Sequence, residues 1–425
     1  MKGLGLILAA ILIFALAACS GGNSASTDNN GNSGDSGSSG DSGGTTNISF
    51  WGPFSGPDGP NMKKIVDAYN KSQDKVHVDF QIVPFTDYYK KVDLAFNSGK
   101  TPDVLIIHGN QLTKYVQKDL LKNLNDFVGD KIKKSDYNQT AIEQDTFDGN
   151  LYAIPLDIHP LMMYWNKDMF KAAGLDPNKP PQTREEFLKV TQKLTDASKG
   201  QYGYVVPTLW PQQFIFPTIV YQNGGKMLKD GKVDYTSDAV VNALKFEHDL
   251  IYKYKVSPPN VQQDGEVTLF LQGKNAIQFN GPWMLNQFKE AGLNFGEAPV
   301  PQLGTEQQAV FTDGHNFAIP KSDDEETVTA VMDFLKYVGG HGMSWAKSGQ
   351  APAAKATYQS EEFQSLKYQP AIVKEFEYAQ FAPKDPNWGT YTTPLWDAVN
   401  KVLLDKADAM EALKKAEEQA NKAAQ

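Results

Sequence analysis

Apolar residues divide the chain into three stretches. Residues 4–18 are apolar apart from Gly5, residues 20–46 hold no large apolar side chain, and strand-like and helix-like patterns alternate from Asn47 onward. Residues 47–51 read as a short strand running into the turn-rich Gly52-Pro53-Phe54-Ser55-Gly56-Pro57-Asp58-Gly59. Met62, Ile65, Val66 and Tyr69 then recur at helical spacing. Val76, Val78, Phe80 and Ile82 alternate, as in a strand with one buried face. A helix carrying Tyr89, Val92 and Phe96 is predicted to stop at Gly99, ahead of Pro102. Val104-Leu105-Ile106-Ile107 is continuously apolar and predicts a buried parallel strand. This rhythm implies a doubly wound α/β domain. Ligands in such sheets gather beyond the carboxyl ends of the strands, here Trp51 to Asp58 and His108-Gly109-Asn110. Further helices are expected over 184–197 and 238–254, around Val328, Val331, Met332, Leu335 and Val338, and on the surface over 410–425.

The apolar N-terminal run acquires a meaning from its flanks. Lys2 precedes it and Leu16-Ala17-Ala18-Cys19 closes it, the layout of an export signal. Its 15 residues fall short of the roughly 18 that span a bilayer. The small-small-Cys ending resembles the bacterial lipobox, in which the cysteine thiol is acylated before cleavage. Two acyl chains anchor a protein stably where one does not. Cys19 is the only cysteine in 425 residues, so the body has no disulfide, no cysteine-based metal site and no cysteine nucleophile. Residues 20–46 contain only Ser, Gly, Asn, Asp, Thr and Ala and read as a disordered tether, with an end-to-end distance of roughly 30 Å.

Composition narrows the body further. Residues 47–425 exceed the size at which one core stops growing, so two domains are expected. Removing Lys2 takes the formal charge from −9 to −10, and without Asp28, Asp35 and Asp41 the body carries −7. A mildly acidic body with no basic run argues against nucleic acid as partner. Arg184 is the sole arginine, and arginine is the residue that grips carboxylate and phosphate bidentately, so a neutral polar ligand fits better than an anion. The 7 Trp and 18 Tyr suffice for a polar-aromatic site.

Seven fragments in order carry a family likeness. They are the lipobox with its polar tether, Ile48-Ser49-Phe50-Trp51, Pro102-Asp103-Val104, Tyr152-Ala153-Ile154-Pro155, Tyr164-Trp165-Asn166-Lys167-Asp168, Asn280-Gly281-Pro282-Trp283 and Phe317-Ala318-Ile319-Pro320-Lys321. Together they resemble the family 1 extracellular solute-binding proteins, sugar-capturing subunits of ABC importers related to maltodextrin-binding protein. The resemblance implies a two-lobed, periplasmic-binding-protein-like α/β fold of type II, with sugar held in a cleft between discontinuous lobes. It places hinge crossings at 155–158, 311–313 and 356–359. The lobes would be 47–156 with 312–357, and 157–311 with 358–425. It also implies a carbohydrate ligand, an ABC permease as partner, contact with the bilayer through acylated Cys19, a monomer, no cofactor or metal, and binding without catalysis.

Candidate ligand groups follow from both lines. Trp283, after Asn-Gly-Pro, matches a tryptophan that stacks on sugar in the relative; the alternative is a core ring. Asp157 matches an acidic hydroxyl acceptor, with a structural cap as the alternative, and His159 follows it. Trp51, Phe54 and Asp58 sit in the first strand-end loop, where Asp58 can equally cap the next helix. His108 and Asn110 stand at the neighbouring strand end, and an asparagine offers both donor and acceptor. Trp210 and Phe214 would face the cleft from the second lobe, and His315 follows the second crossing. Trp388, with Tyr391, is read as a loop over the cleft mouth, and Trp396 as core. Two rival functions remain: an exported glycosidase, for which Asp58 and Asp157 are the nearest carboxylate pair, and a same-fold protein for a non-sugar solute.

Overall fold

The computed structural model describes residues 44–54 and 56–423. The export signal, Cys19 and tether residues 20–43 lie outside the described residues; Thr46, read as the end of the tether, instead opens the first strand, its N–H donating to Lys75 O. Among those described, no helix is long and apolar enough to cross a membrane.

The alternating segments form the expected first sheet. Its five strands lie in the order Val76–Ile82, Thr46–Gly52, Val104–His108, His315–Ala318, Ala153–Pro155. The first three are parallel, and His315–Ala318 runs antiparallel to both its neighbours. Period-two alternation assigns the faces. Ile48, Phe50, Val104, Ile106 and Phe317 pack with helices Asp58–Ser72 and Glu325–Gly340. Leu105, Ile107, Ala153 and Ala318 pack with Phe85–Ser98 and Gly109–Gln117. The helix Phe85–Ser98 stops where expected: Gly99 takes the left-handed conformation (φ 66°), and its N–H reaches Phe96 O.

A second sheet orders Phe295–Pro299, Met162–Asn166, Asn275–Asn280 and Tyr202–Tyr204. Leu161, Met163 and Trp165 enter a core shared with helices Arg184–Leu194, Gln212–Gln222, Asp238–Tyr252 and Trp388–Asp405. Met162 and Tyr164 turn to the opposite side, against Phe288 and Phe295. Between the sheets lies a set of four short crossing strands: Ala351–Pro352, Asp157–Pro160, Val310–Asp313 and Ala379–Gln380.

One segment lies where the two sheets' cores meet, and one expectation shifts. Phe363, Ile372 and Phe376 share a cluster with Phe288 and Phe295, Tyr368 stacks on Phe295 at 4.9 Å, and the chain enters the helical second core from Ala379. Short helices such as Glu361–Gln364 and Pro370–Val373 fill that interval, too brief for a period to register. The helix expected over 184–197 is shorter than read, ending at Leu194, because Thr195 turns extended and its hydroxyl takes Thr191 O.

Candidate functional site

The crossing strands meet the first sheet at one point, and strand register explains what gathers there. His315 pairs with His108 across one ladder, and Asp313 pairs with His159 across another. Gly314 joins the two strands; a Cβ there would come within 2.7 Å of Asp157 O, so glycine permits the close approach. Three of the six histidines thus converge. The ring centroids of His159 and His315 are 4.7 Å apart, those of His108 and His315 4.8 Å, and those of His108 and His159 6.0 Å.

Asp157 is the hub beneath them, with no exposed surface. Its Oδ1 accepts from His159 Nδ1 (3.0 Å) and from the His315 backbone N–H (3.0 Å). Its Oδ2 accepts from His315 Nδ1 and Trp345 Nε1, both at 2.8 Å. Burial alone would raise its pKa, but the His315 charge and the imidazole hydrogen bonds prevail and hold the carboxyl well below the usual range. An ionised carboxylate only accepts, so both Nδ1 atoms carry their proton. Burial lowers the His315 pKa, and Asp157 outweighs it, leaving His315 raised. Burial, with the charges of His315 and His159, lowers His108 well below its ordinary value. Tyr89 fixes that ring, its hydroxyl lying 2.5 Å from Nδ1 and accepting the His108 backbone N–H at 3.0 Å.

Aromatic rings line both sides. Phe54 lies 5.1 Å from His315 and 5.1 Å from Trp345. Trp283 stands edge-on to His159 at 5.6 Å, with Phe214 at 5.6 Å and Trp210 at 5.8 Å from it. Asp58 is buried at the start of its helix, where Gln350 Nε2 donates to Oδ2 (3.0 Å) and Oδ1 has no partner among the described residues. Desolvation, partly offset by His315, pushes its pKa up to about 6. Asp313 accepts the backbone N–H groups of Gly314 (2.9 Å) and Asn110 (3.3 Å) through Oδ1.

Donor atoms of Asp157, His159 and His315 all lie within 4.8 Å of one another, the one such group among the described residues. Four N–H donors already occupy the two carboxylate oxygens, so the group is built as an ion-paired hub. The same engagement leaves Asp157 poorly placed to act as a nucleophile or base on a sugar.

Comparison with known proteins gives this geometry a family. The family model described as "Bacterial extracellular solute-binding protein" matches residues 55–343. The chain belongs to that family. It is 24% identical over 375 residues to the galactooligosaccharide-binding protein of Bacillus subtilis (strain 168), covering 84% of this chain and 85% of the relative. It is 24% identical over 421 residues to the maltodextrin-binding protein MdxE of the same organism, covering 96% and 92%. Among solved structures, a Listeria monocytogenes ABC substrate-binding protein in complex with cycloalternan superposes with a TM-score of 0.78 at 22% identity, covering 89% of this chain and 98% of that one. A Thermotoga lettingae solute-binding protein bound to α-D-tagatose gives 0.78 at 23% identity, covering 89% and 100%. The expected two-lobed α/β fold is borne out.

Within this solute-binding protein, Phe54, Asp58, His108, Asp157, His159, Trp210, Phe214, Trp283 and His315 come together. Asp58 makes no side-chain cap on its helix, and Asp157 lies in a strand, so neither acts as a helix cap. Asn110 reaches the hub through its backbone N–H. Trp51 does not face the hub. Phe50 turns to the first core, so alternation sends Trp51 to the opposite face, where Lys91 Nζ sits 3.9 Å over its ring. Trp388 is not in a loop: it opens the helix Trp388–Asp405 and is buried in the second core with Tyr391. Its turn-like neighbours, Pro386, Asn387 and Gly389, hid the helix start. Trp396 packs half-buried on that core, 6.4 Å from Phe216. The lone arginine, Arg184, lies over Phe246 at 4.0 Å.

Tyr89, Asp313, Trp345 and Gln350 escaped the sequence reading. Asp313 stood inside a crossing already located, which was its only signal. Trp345 lies in a helix of five residues, too short to show a period.

Proposed function

We propose that this protein captures a carbohydrate, an oligosaccharide, at the histidine floor and delivers it to the permease of an ABC importer. The observation that carries the reading is the joining of the rings of Trp210, Phe214 and Trp283 to a floor of three oriented imidazoles. Flat aromatic surfaces cover the C–H faces of sugar rings, while polar groups at the edges take hydroxyls. With Nδ1–H given to Asp157, the Nε2 edge of His159 is left to meet a sugar hydroxyl. Asp157 acts through the imidazoles, as a positioning residue. Sugar-binding relatives on both sequence and structure comparisons support the same reading, as does a family of binding proteins rather than enzymes.

The lobes in this proposal are 47–156 with 312–357, and 157–311 with 358–425. The ligand touches both and favours the closed form through those differential contacts. Cys19, acylated, holds a monomer on the extracytoplasmic face of the cell membrane by the polar tether that precedes the first strand. Calorimetry against mono- and oligosaccharides tests the reading: saturable binding with no product from reporter glycosides is expected. Silence across the panel refutes sugar capture, and steady product release refutes binding without turnover. X-ray scattering should show compaction with sugar; unchanged profiles contradict closure.

A further inference from the structure

Beside Trp283 lies a buried polar group that the histidine floor does not use. The Trp283 ring rests on Gly281: a Cβ on that glycine would come within 2.0 Å of the ring. What holds Gly281 therefore holds Trp283. The Gly281 carbonyl accepts from the Met284 N–H at 3.1 Å, closing the short turn Pro282–Met284, and from the Tyr164 hydroxyl at 3.0 Å. Tyr164 is itself fixed, fully buried in the strand Met162–Asn166 and edge-on to Phe288 at 5.1 Å. Strand register sets a rival acceptor beside it. Glu297 pairs with Tyr164 across the ladder to Phe295–Pro299, and its Oε1 lies 3.4 Å from the same hydroxyl. A tyrosine hydroxyl has one proton to donate, so the nearer Gly281 carbonyl and the Glu297 carboxyl compete for it.

The charge of Glu297 settles that competition. Hydrogen bonds to a carboxylate are about twice as strong as those between neutral groups. The ionisable groups facing Glu297 are Tyr164 and, from the segment after Pro370–Val373, Glu375. Gln278, opposite Tyr164 on the other neighbouring strand, is neutral. Glu375 has no exposed surface and accepts the Val300 N–H at 2.9 Å through Oε1. Its Oε2 and that of Glu297 have no partner among the described residues. None of these neighbours brings a positive charge. Desolvation, only partly offset by the Tyr164 hydroxyl, pushes the Glu297 pKa up to about 8, and burial raises Glu375 well above its ordinary value.

We propose that Tyr164 is the positioning residue of Trp283, and that Glu297 sets how firmly it acts by competing for the Tyr164 proton. This rests on the carbohydrate reading, through Trp283. At pH 7 Glu297 is neutral, Tyr164 donates to Gly281 and the turn under the tryptophan is held. As pH rises through about 8, Glu297 ionises and draws the hydroxyl away. Gly281 then loses a hydrogen bond, and sugar affinity, complete at lower pH, falls. The loss of one such bond converts to a change of about three- to tenfold.

The test is calorimetry on the whole protein from pH 6 to pH 9.5 with α-1,4-gluco-, β-1,4-galacto- and β-1,4-manno-trisaccharides, comparing the unaltered protein with Glu297→Gln and Tyr164→Phe. The affinity of the unaltered protein should fall about three- to tenfold across that range. Glu297→Gln, neutral at every pH, should lose the fall. Tyr164→Phe keeps the ring and leaves the Met284 N–H on Gly281 O; it should bind more weakly at pH 6.5 by the same factor and also lose the fall. His315, whose pKa is raised as well, titrates in all three proteins. A fall that persists in Glu297→Gln therefore belongs to the floor and overturns the proposal. A flat profile in the unaltered protein overturns it too, as does a Tyr164→Phe variant that binds like the unaltered protein. Should Tyr164→Phe not unfold cooperatively, the Glu297→Gln profile decides. No binding by the unaltered protein at any pH refutes the carbohydrate reading and this inference with it, whereas binding without pH dependence refutes the inference alone.

Discussion

Replacing Asp58 by Asn should stabilise the protein at neutral pH, by an amount the structure sets. Asp58 is enclosed, one oxygen accepts from Gln350 and the other has no partner among the described residues. Desolvation raises its pKa from 3.8 to about 6. A shift of roughly two units is about 3 kcal/mol of penalty on the charged form. The sign follows from proton counts. Between pH 4 and pH 6 the folded protein holds a proton that the unfolded chain has released, so stability falls as pH rises through that window. Below it both states are protonated and no penalty exists; above it the penalty is complete. Asn removes the charge at nearly constant shape, and its N–H can meet the Gln350 Oε1, which also lacks a partner. Urea denaturation from pH 4 to pH 8 should show near-equal stability at the acid end and an advantage of about 2–3 kcal/mol for Asp58→Asn at pH 7. If Asp58 also accepts a sugar hydroxyl, the same variant binds ligand more weakly, a trade of affinity for stability. A variant less stable at pH 7, or a difference that does not change with pH, is incompatible with a desolvated, charged Asp58.

Three further outcomes are expected. Asp157→Asn breaks a buried ion pair and presents an amide N–H to imidazole donors, so it should cost about 3–5 kcal/mol in chemical denaturation at pH 7; a loss under about 1 kcal/mol would show that the hub is not charged. Trp283→Ala should weaken sugar binding by about an order of magnitude while the unfolding transition stays cooperative, and unaltered calorimetric affinity would remove Trp283 from the site. Cys19→Ser should move the protein from the membrane fraction to the soluble fraction with its sugar affinity intact; retention at the membrane would rule out the lipid anchor.

Much of the fold was legible because its first sheet obeys simple periods. Strand alternation located Ile48, Phe50, Val76 and Val78, and the unbroken run from Val104 to Ile107 was read correctly as a strand buried on both faces. Alternation also contained the answer for Trp51: with Phe50 facing the core, Trp51 had to face away, and grouping it with the following loop ignored that constraint. The cluster that forms the candidate site was legible where a residue followed a strand end or a crossing, as His108, Asp157 and His315 do. Pairing register was not legible, because nothing local states that His315 lies opposite His108 or Asp313 opposite His159. Trp345 and Gln350 were lost for a related reason: they arrive on segments too short to have a period, placed by contacts nearly two hundred residues or more away in sequence.

The register that concealed the hub also says how binding and closure would be linked. Asp157 and Asp313 stand on adjacent antiparallel strands that run between the two cores. Asp157 ties His159, beside Trp283 of the second core, to His315 and Trp345, beside Phe54 of the first. A ligand seated on His159 and His315 therefore presses on groups whose mutual positions are fixed by one buried carboxylate. If the lobes rotate as proposed, the aromatic walls would move toward or away from that floor, and the ligand would be covered more fully in the closed form than in the open one. Only such a difference can shift the equilibrium, since equal affinity for open and closed forms shifts nothing. A rigid polar floor with movable aromatic walls would supply it. On this reasoning Asp157→Asn should reduce the ligand-induced compaction seen by scattering even at saturating sugar, whereas Trp283→Ala should reduce affinity and still compact once saturated. The reverse pattern would place the coupling in the walls.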